Sequence, residues 1–114
     1  MSGFPSPAED YLANPLDLNH HIIKHPAATF VMRARGDLLM DSGIYDGDIL
    51  VVDRSLTPTN GRIVIAAMEG QLTAKRLLID RSGRQRLENP PNPSILVNED
   101  VEVWGVVTHV IHHV

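Results

Sequence analysis

Four short runs rich in β-branched residues, each bounded by turn residues, constrain this chain more than any other feature of its sequence. They are "TFVMRA" at 29–34, "DILVVD" at 48–53, "RIVIAAM" at 62–68 and "QLTAKRLLI" at 71–79. Branched side chains lose rotamer freedom in a helix and pack well on a pleated surface, so these runs predict strands. Asp46-Gly47 precedes the second and Asn60-Gly61 the third. Glu69-Gly70 leaves only two residues between the third and fourth, which predicts a tight hairpin and antiparallel neighbours. "RQRLEN" pairs back on the fourth strand after a turn at Ser82-Gly83. Residues 89–94, "NPPNPS", read as an irregular crossing loop because three prolines exclude helix and central strand. "VEVWGVVTHVIHHV" completes the set as a long final strand with Gly105 at a bulge or bend. The fold class is therefore mostly β, a small folded-over antiparallel sheet with one short helix.

The helix falls in "DLNHHIIKHP", where Asp17 is a good N-cap, Leu18, Ile22 and Ile23 share a side, and Pro26 is a stop. Before it, Pro5, Pro7 and Pro15 leave room for one helical turn at most. Residues 1–16 thus read as an extended N-terminal arm and 17–114 as a single domain, long enough to bury a core without staples. There is no cysteine, hence no disulfide, thiolate metal site or cysteine nucleophile. The opening residues lack a basic segment followed by an apolar run, and no apolar stretch reaches the ~20 residues of a membrane helix, so no membrane association is expected. The net charge of −4 argues against a domain that grips nucleic acid by itself.

Six histidines raise the question of a metal. His20, His21 and His25 lie near the helix, and His109, His112 and His113 at the end of the chain. His21 and His25 are four apart and could share a helix face, but no glutamate stands between them and no third ligand is evident, so surface histidines are expected and neither metal nor cofactor is called for. The basic residues Lys75, Arg76, Arg81, Arg84 and Arg86 gather around a single acid, Asp80. That cluster reads either as a solvated hairpin or as a docking patch for an acidic partner. In the fourth strand Lys75 alternates with Thr73, Leu77 and Ile79, whereas Arg76 alternates with Leu72, Ala74 and Leu78. One of the two charges must share a face with apolar neighbours, and parity alone leaves both choices open. A lysine so placed can serve as a general base, or simply lay its stem on the sheet with its ammonium in water.

Taken in order, "GFPSPAEDYL", "DLN", "HPAATF", Gly36-Asp37, "DGDILVVD", "RIVIAAMEGQLTAKRL" and "VWGVVTHVI" resemble the UmuD proteins, which belong with LexA-type repressors among the Ser-Lys self-cleaving peptidases. The resemblance runs from Gly3 to the C-terminus. It implies the LexA and signal-peptidase type of C-terminal domain, in which a serine after Gly-Asp attacks and a lysine takes its proton. Gly36 and Asp37 fit that motif and Lys75 stands where the base belongs, but Leu38 occupies the serine's place. An isobutyl group has no oxygen with which to attack a carbonyl. Ser42, four residues on, is a hydroxyl too far displaced to substitute and is expected to stabilise the turn before Gly43.

The resemblance further implies a homodimer that serves as accessory subunit to a UmuC-like Y-family polymerase in the SOS DNA-damage response. Its family acts with the RecA filament, and pairing with a full-length UmuD is a related expectation. "GFPSP" directly after Met1-Ser2 resembles the processed form, from which the inhibitory arm and its Cys-Gly or Ala-Gly cleavage bond have gone. No helix-turn-helix is present, so no direct sequence-specific DNA binding is expected. The strand around Val103 to Ile111, with Trp104, reads equally as dimer contact and as core. Two other readings of the chain are a residually active peptidase and a partner that modulates LexA-like proteins.

Overall fold

The computed structural model describes residues 17–36 and 39–114; the expected arm at 1–16, Asp37 and Leu38 lie outside the described residues. Helix α1 spans Leu18–Ile22, and Asp17 caps it by accepting hydrogen bonds from the backbone N–H groups of Asn19 and His20 at 3.0 and 3.4 Å. Pro26 opens a 3-10 turn, Pro26–Ala28, rather than merely stopping a helix. Its fixed φ suits a first helical position, where no N–H is needed.

Seven strands follow: β1 (Thr29–Arg33), β2 (Ile49–Asp53), β3 (Ile63–Met68), β4 (Gln71–Ile79), β5 (Gln85–Asn89), β6 (Asn92–Leu96) and β7 (Val101–Ile111). They form one sheet in the order β1-β2-β7-β3-β4-β5-β6, antiparallel throughout. The Glu69-Gly70 hairpin forms as expected, with both φ values positive, at 53° and 74°, the geometry that matches strand twist. One expectation fails: of the expected crossing loop at 89–94, Asn89 ends β5 and residues 92–94 belong to the edge strand β6. Pro93 is tolerated there because the outermost strand has no neighbour waiting for its N–H.

The chain's last strand sits in the middle of the sheet, between β2 and β3. Two irregularities bend it, one with Trp104 as the extra residue between the Ile65–Gly105 and Ala66–Val103 pairs, the other with Thr108 between the Val52–Val107 and Val51–His109 pairs. Bulges increase local twist, which lets a sheet fold over on itself. Two apolar clusters result. Leu39, Ile44, Leu50, Val52, Ile65 and Val107 form the first; Val64, Ala66, Leu77, Leu87 and Val106 form the second. The alternate residues of β3 thus divide between the two, as period-two geometry requires.

Candidate active site

The 34–48 connection between β1 and β2 is pinned at its neck. Ala34 donates its N–H to Asp48 O, Gly47 donates to Ala34 O at 2.8 Å, and the Arg33 side chain reaches Gly47 O. Further in, Gly36 donates its backbone N–H to Asp46 Oδ1 at 2.7 Å. Gly36 has φ of 83°, a left-handed conformation that glycine adopts at little cost. On the far side Leu39 is buried, and its carbonyl accepts the N–H groups of Ser42 and Ile44. Gly36 and Leu39 are thus both anchored. Next to Gly36 and Leu39 opens a cavity of about 190 Å³, lined by apolar residues such as Met32, Ile44, Leu50 and Ile65 and also by Arg33, Arg35 and Thr73.

The strand register settles the parity of β4. Lys75 stands opposite Val64 and shares its side of the strand with Thr73 and Leu77, the last completely buried; Arg76 stands opposite Ile63 and shares its side with Ala74. Both charged residues are half-buried. Lys75 is not among the residues that line the cavity, although its neighbours Thr73 and Ala74 are. Ser42 closes the 3-10 turn Met40–Ser42, and its Oγ accepts a hydrogen bond from Arg76 Nη2 at 2.5 Å. A guanidinium has no lone pair to receive a proton at neutral pH, so this partner holds Ser42 without activating it.

Two histidines, at the surface as expected, also reach buried acids. His25 lies beyond the end of α1, so it does not share a helix face with His21; its Nδ1 lies 2.6 Å from Asp53 Oδ2. His112 Nδ1 lies 2.6 Å from Asp48 Oδ1, and Tyr45 packs against the His112 ring. Asp48 and Asp53, only 2% and 4% exposed, bracket β2, so each end of the strand carries a buried acid held by a distant histidine. The Tyr45 backbone N–H, then the His112 hydrogen bond, hold the Asp48 carboxyl below its ordinary range against the opposing effect of burial. For Asp53 burial pushes upward most strongly, but hydrogen bonds from Ser55 and His25 together outweigh it and the net shift is also downward. No local pattern marks these pairs, because their partners are 28 and 64 residues apart.

A depressed carboxyl contributes stability that is complete above the unfolded-state value near 3.9 and is lost as pH falls through the folded value. The melting temperature is accordingly expected to be level from neutral pH to about pH 5 and to fall below about pH 4. Asp48→Asn should lower Tm at pH 7 and flatten that acid limb, as followed by circular dichroism.

A connection anchored at Ala34, Gly36 and Leu39, a cleft beside it and a half-buried lysine on β4 are what the fold offers for chemistry. Residues 1–108 match the family described as Peptidase S24-like, and the chain belongs to that family. Within it the chain is a UmuD-like member. It is 47% identical to Protein ImpA of Salmonella typhimurium over 113 residues, covering 98% of this chain and 78% of that protein. Protein MucA of Escherichia coli is 44% identical over 95% of this chain and 76% of its own length. A more distant relative, the LexA repressor of Idiomarina loihiensis, is 32% identical over 92% of this chain and 51% of its own length. Among the described residues no helix is long and apolar enough to cross a membrane.

Proposed function

We propose that this protein is a non-cleaving accessory subunit of a UmuC-like Y-family translesion polymerase, working in the cytoplasm in the SOS response and bound there as a homodimer. The observation that carries the reading is Leu38 in the serine's place, between Gly36-Asp37 and a Lys75 that still stands at the base position. Membership of the family supplies the context, and the missing oxygen removes the step that would make this chain a hydrolase. Lys75 is then a relic of the base, and function passes to surfaces: residues 1–16 as an arm for partners, the RecA filament and full-length UmuD among them, and the exposed Val110 and Ile111 at the end of β7 for the second copy. The middle of β7 is core, since Gly105, Val106 and Val107 are buried.

The test is co-purification combined with active-site labelling. Expressed with a UmuC-like polymerase subunit, the protein is expected to elute with it and to remain unlabelled by a serine-directed fluorophosphonate. Labelling at Ser42 would restore the enzyme reading, and elution apart from the polymerase at micromolar concentration would remove the subunit reading.

A further inference from the structure

The structure divides the basic cluster of the sequence. Arg81, Arg84 and Arg86 stay with the β4–β5 hairpin, where Asp80 accepts the N–H of Arg84. Arg76 leaves that group and turns toward a second groove, bordered by Ser42, Ile44, Arg62, Ile63, Val107, Thr108, His109 and Val110. There Nη1 donates to Gly61 O at 2.8 Å and Nη2 to Ser42 Oγ at 2.5 Å. Arg62, itself exposed, donates from Nη2 to Val107 O at 3.4 Å. Each of these acceptors is neutral. Among the described residues the one arginine paired with a carboxylate is Arg54, with Glu102, and the exposed Asp41 beside Ser42 forms no ion pair with either groove arginine. Two guanidiniums with no carboxylate partner among the described residues therefore border one groove of a chain whose net charge is −4.

We propose that this groove binds an acidic peptide segment of a partner protein, a carboxylate seated between Arg62 and Arg76 with an apolar neighbour against Ile63. The guanidinium fork matches a carboxylate bidentately, and Ser42 and Gly61 hold the Arg76 fork in place before the ligand arrives, so less rotamer freedom is lost on binding. His109 adds an exposed ring whose Nδ1 is engaged by Thr108 Oγ1 at 3.0 Å. A nucleic-acid backbone fits less well. Its unbroken row of phosphates meets only the two arginines here, and its backbone carries no aliphatic side chain to set against Ile63. The groove shares Ile44 with the cavity next to Gly36 and Leu39 but uses neither Lys75 nor position 38, so the proposal holds whether or not the polymerase reading does.

The probe is a fluorescein-labelled octapeptide of alternating glutamate and leucine, followed by anisotropy and by amide chemical shifts. Saturable binding is expected, with shifts at Ser42, Gly61, Arg62, Arg76 and His109. Loss of one charge-assisted contact typically costs about tenfold or more in affinity, so Arg62→Gln and Arg76→Gln should each weaken it at least that far. Arg62 is exposed, so its variant reads the site even if Arg76→Gln disturbs the 40–42 turn. Arg76→Lys should recover little, because it keeps the charge but not the fork. Equal binding of the glutamine-for-glutamate peptide, or unchanged affinity in Arg62→Gln, would overturn the proposal. Tighter, arginine-dependent binding of an oligothymidylate would do so as well, replacing the peptide with a phosphodiester. Competition by millimolar inorganic phosphate against the peptide alone would support a simple oxyanion contact at the two arginines.

Discussion

Leu38→Ser is expected to cleave a full-length UmuD supplied in trans on RecA filaments with ATP and single-stranded DNA, while the Leu38 protein leaves that substrate intact. Removal of a serine nucleophile costs on the order of 10⁶-fold in kcat where it has been measured in a serine protease, so its return should carry turnover from none to readily measured. Gly36 and Leu39, which flank the position in the sequence, are fixed by hydrogen bonds and burial, and a cleft opens next to them. Lys75 supplies the diagnostic. In the Leu38 protein, Lys75→Met should change neither polymerase association nor, to any great extent, stability, since a half-buried lysine becomes an apolar side chain of similar length. In the Leu38→Ser background the same change should abolish cleavage, because the hydroxyl then lacks a base. If the Leu38 protein itself cuts, another hydroxyl is working. If Leu38→Ser does not cut, the site has drifted further than the loss of one oxygen.

Position 38 shows what kind of information a sequence carries well. The chemistry of a missing hydroxyl is local and needs no coordinates, and the same is true of strands set by β-branched runs and of the Glu69-Gly70 turn set by its dihedral demands. What escaped the sequence is non-local. β7 inserts between β2 and β3, a pairing chosen by which apolar faces meet, and the fourth strand's parity becomes readable only through Val64 and Ile63 across from it. Asp48 and Asp53 look like turn acids around "DILVVD" until the fold brings His112 and His25 to them. Pro93 misled because the rule against proline in strands depends on whether a strand is central or outermost, which is itself a property of the assembled sheet. The groove of Arg62 and Arg76 is of the same kind. In sequence Arg76 belongs to a hairpin's charges; in space it belongs to Ser42.

Gly105→Ala is expected to destabilise the protein by about 1–3 kcal/mol, lowering Tm on the order of 10 °C for a domain of this size. The reason is space rather than backbone strain. A Cβ built at Gly105 would stand 2.7 Å from Val52 Cγ1 and 3.3 Å from Arg54 Cγ. Val52 is wholly buried and, being β-branched, has few rotamers to retreat into. Nor can β7 move away, because it is paired on both sides, with β2 and β3. Arg54 can yield, but only by leaving the Trp104 ring it lies over at 4.3 Å and the Trp104 carbonyl it bonds at 2.9 Å. The destabilised variant should therefore also show altered tryptophan fluorescence while still folded. Gly43→Ala separates the two possible causes, since Gly43 has a φ of 82° and no atom within 4 Å of the added carbon. It reports dihedral strain alone, about 1–2 kcal/mol. Val52→Ala makes room for the new methyl, so the double variant should be less destabilised than the sum of the two single changes. A Gly105→Ala protein that melts with the wild type would mean that the centre of the sheet is looser than the Val52–Gly105 contact requires.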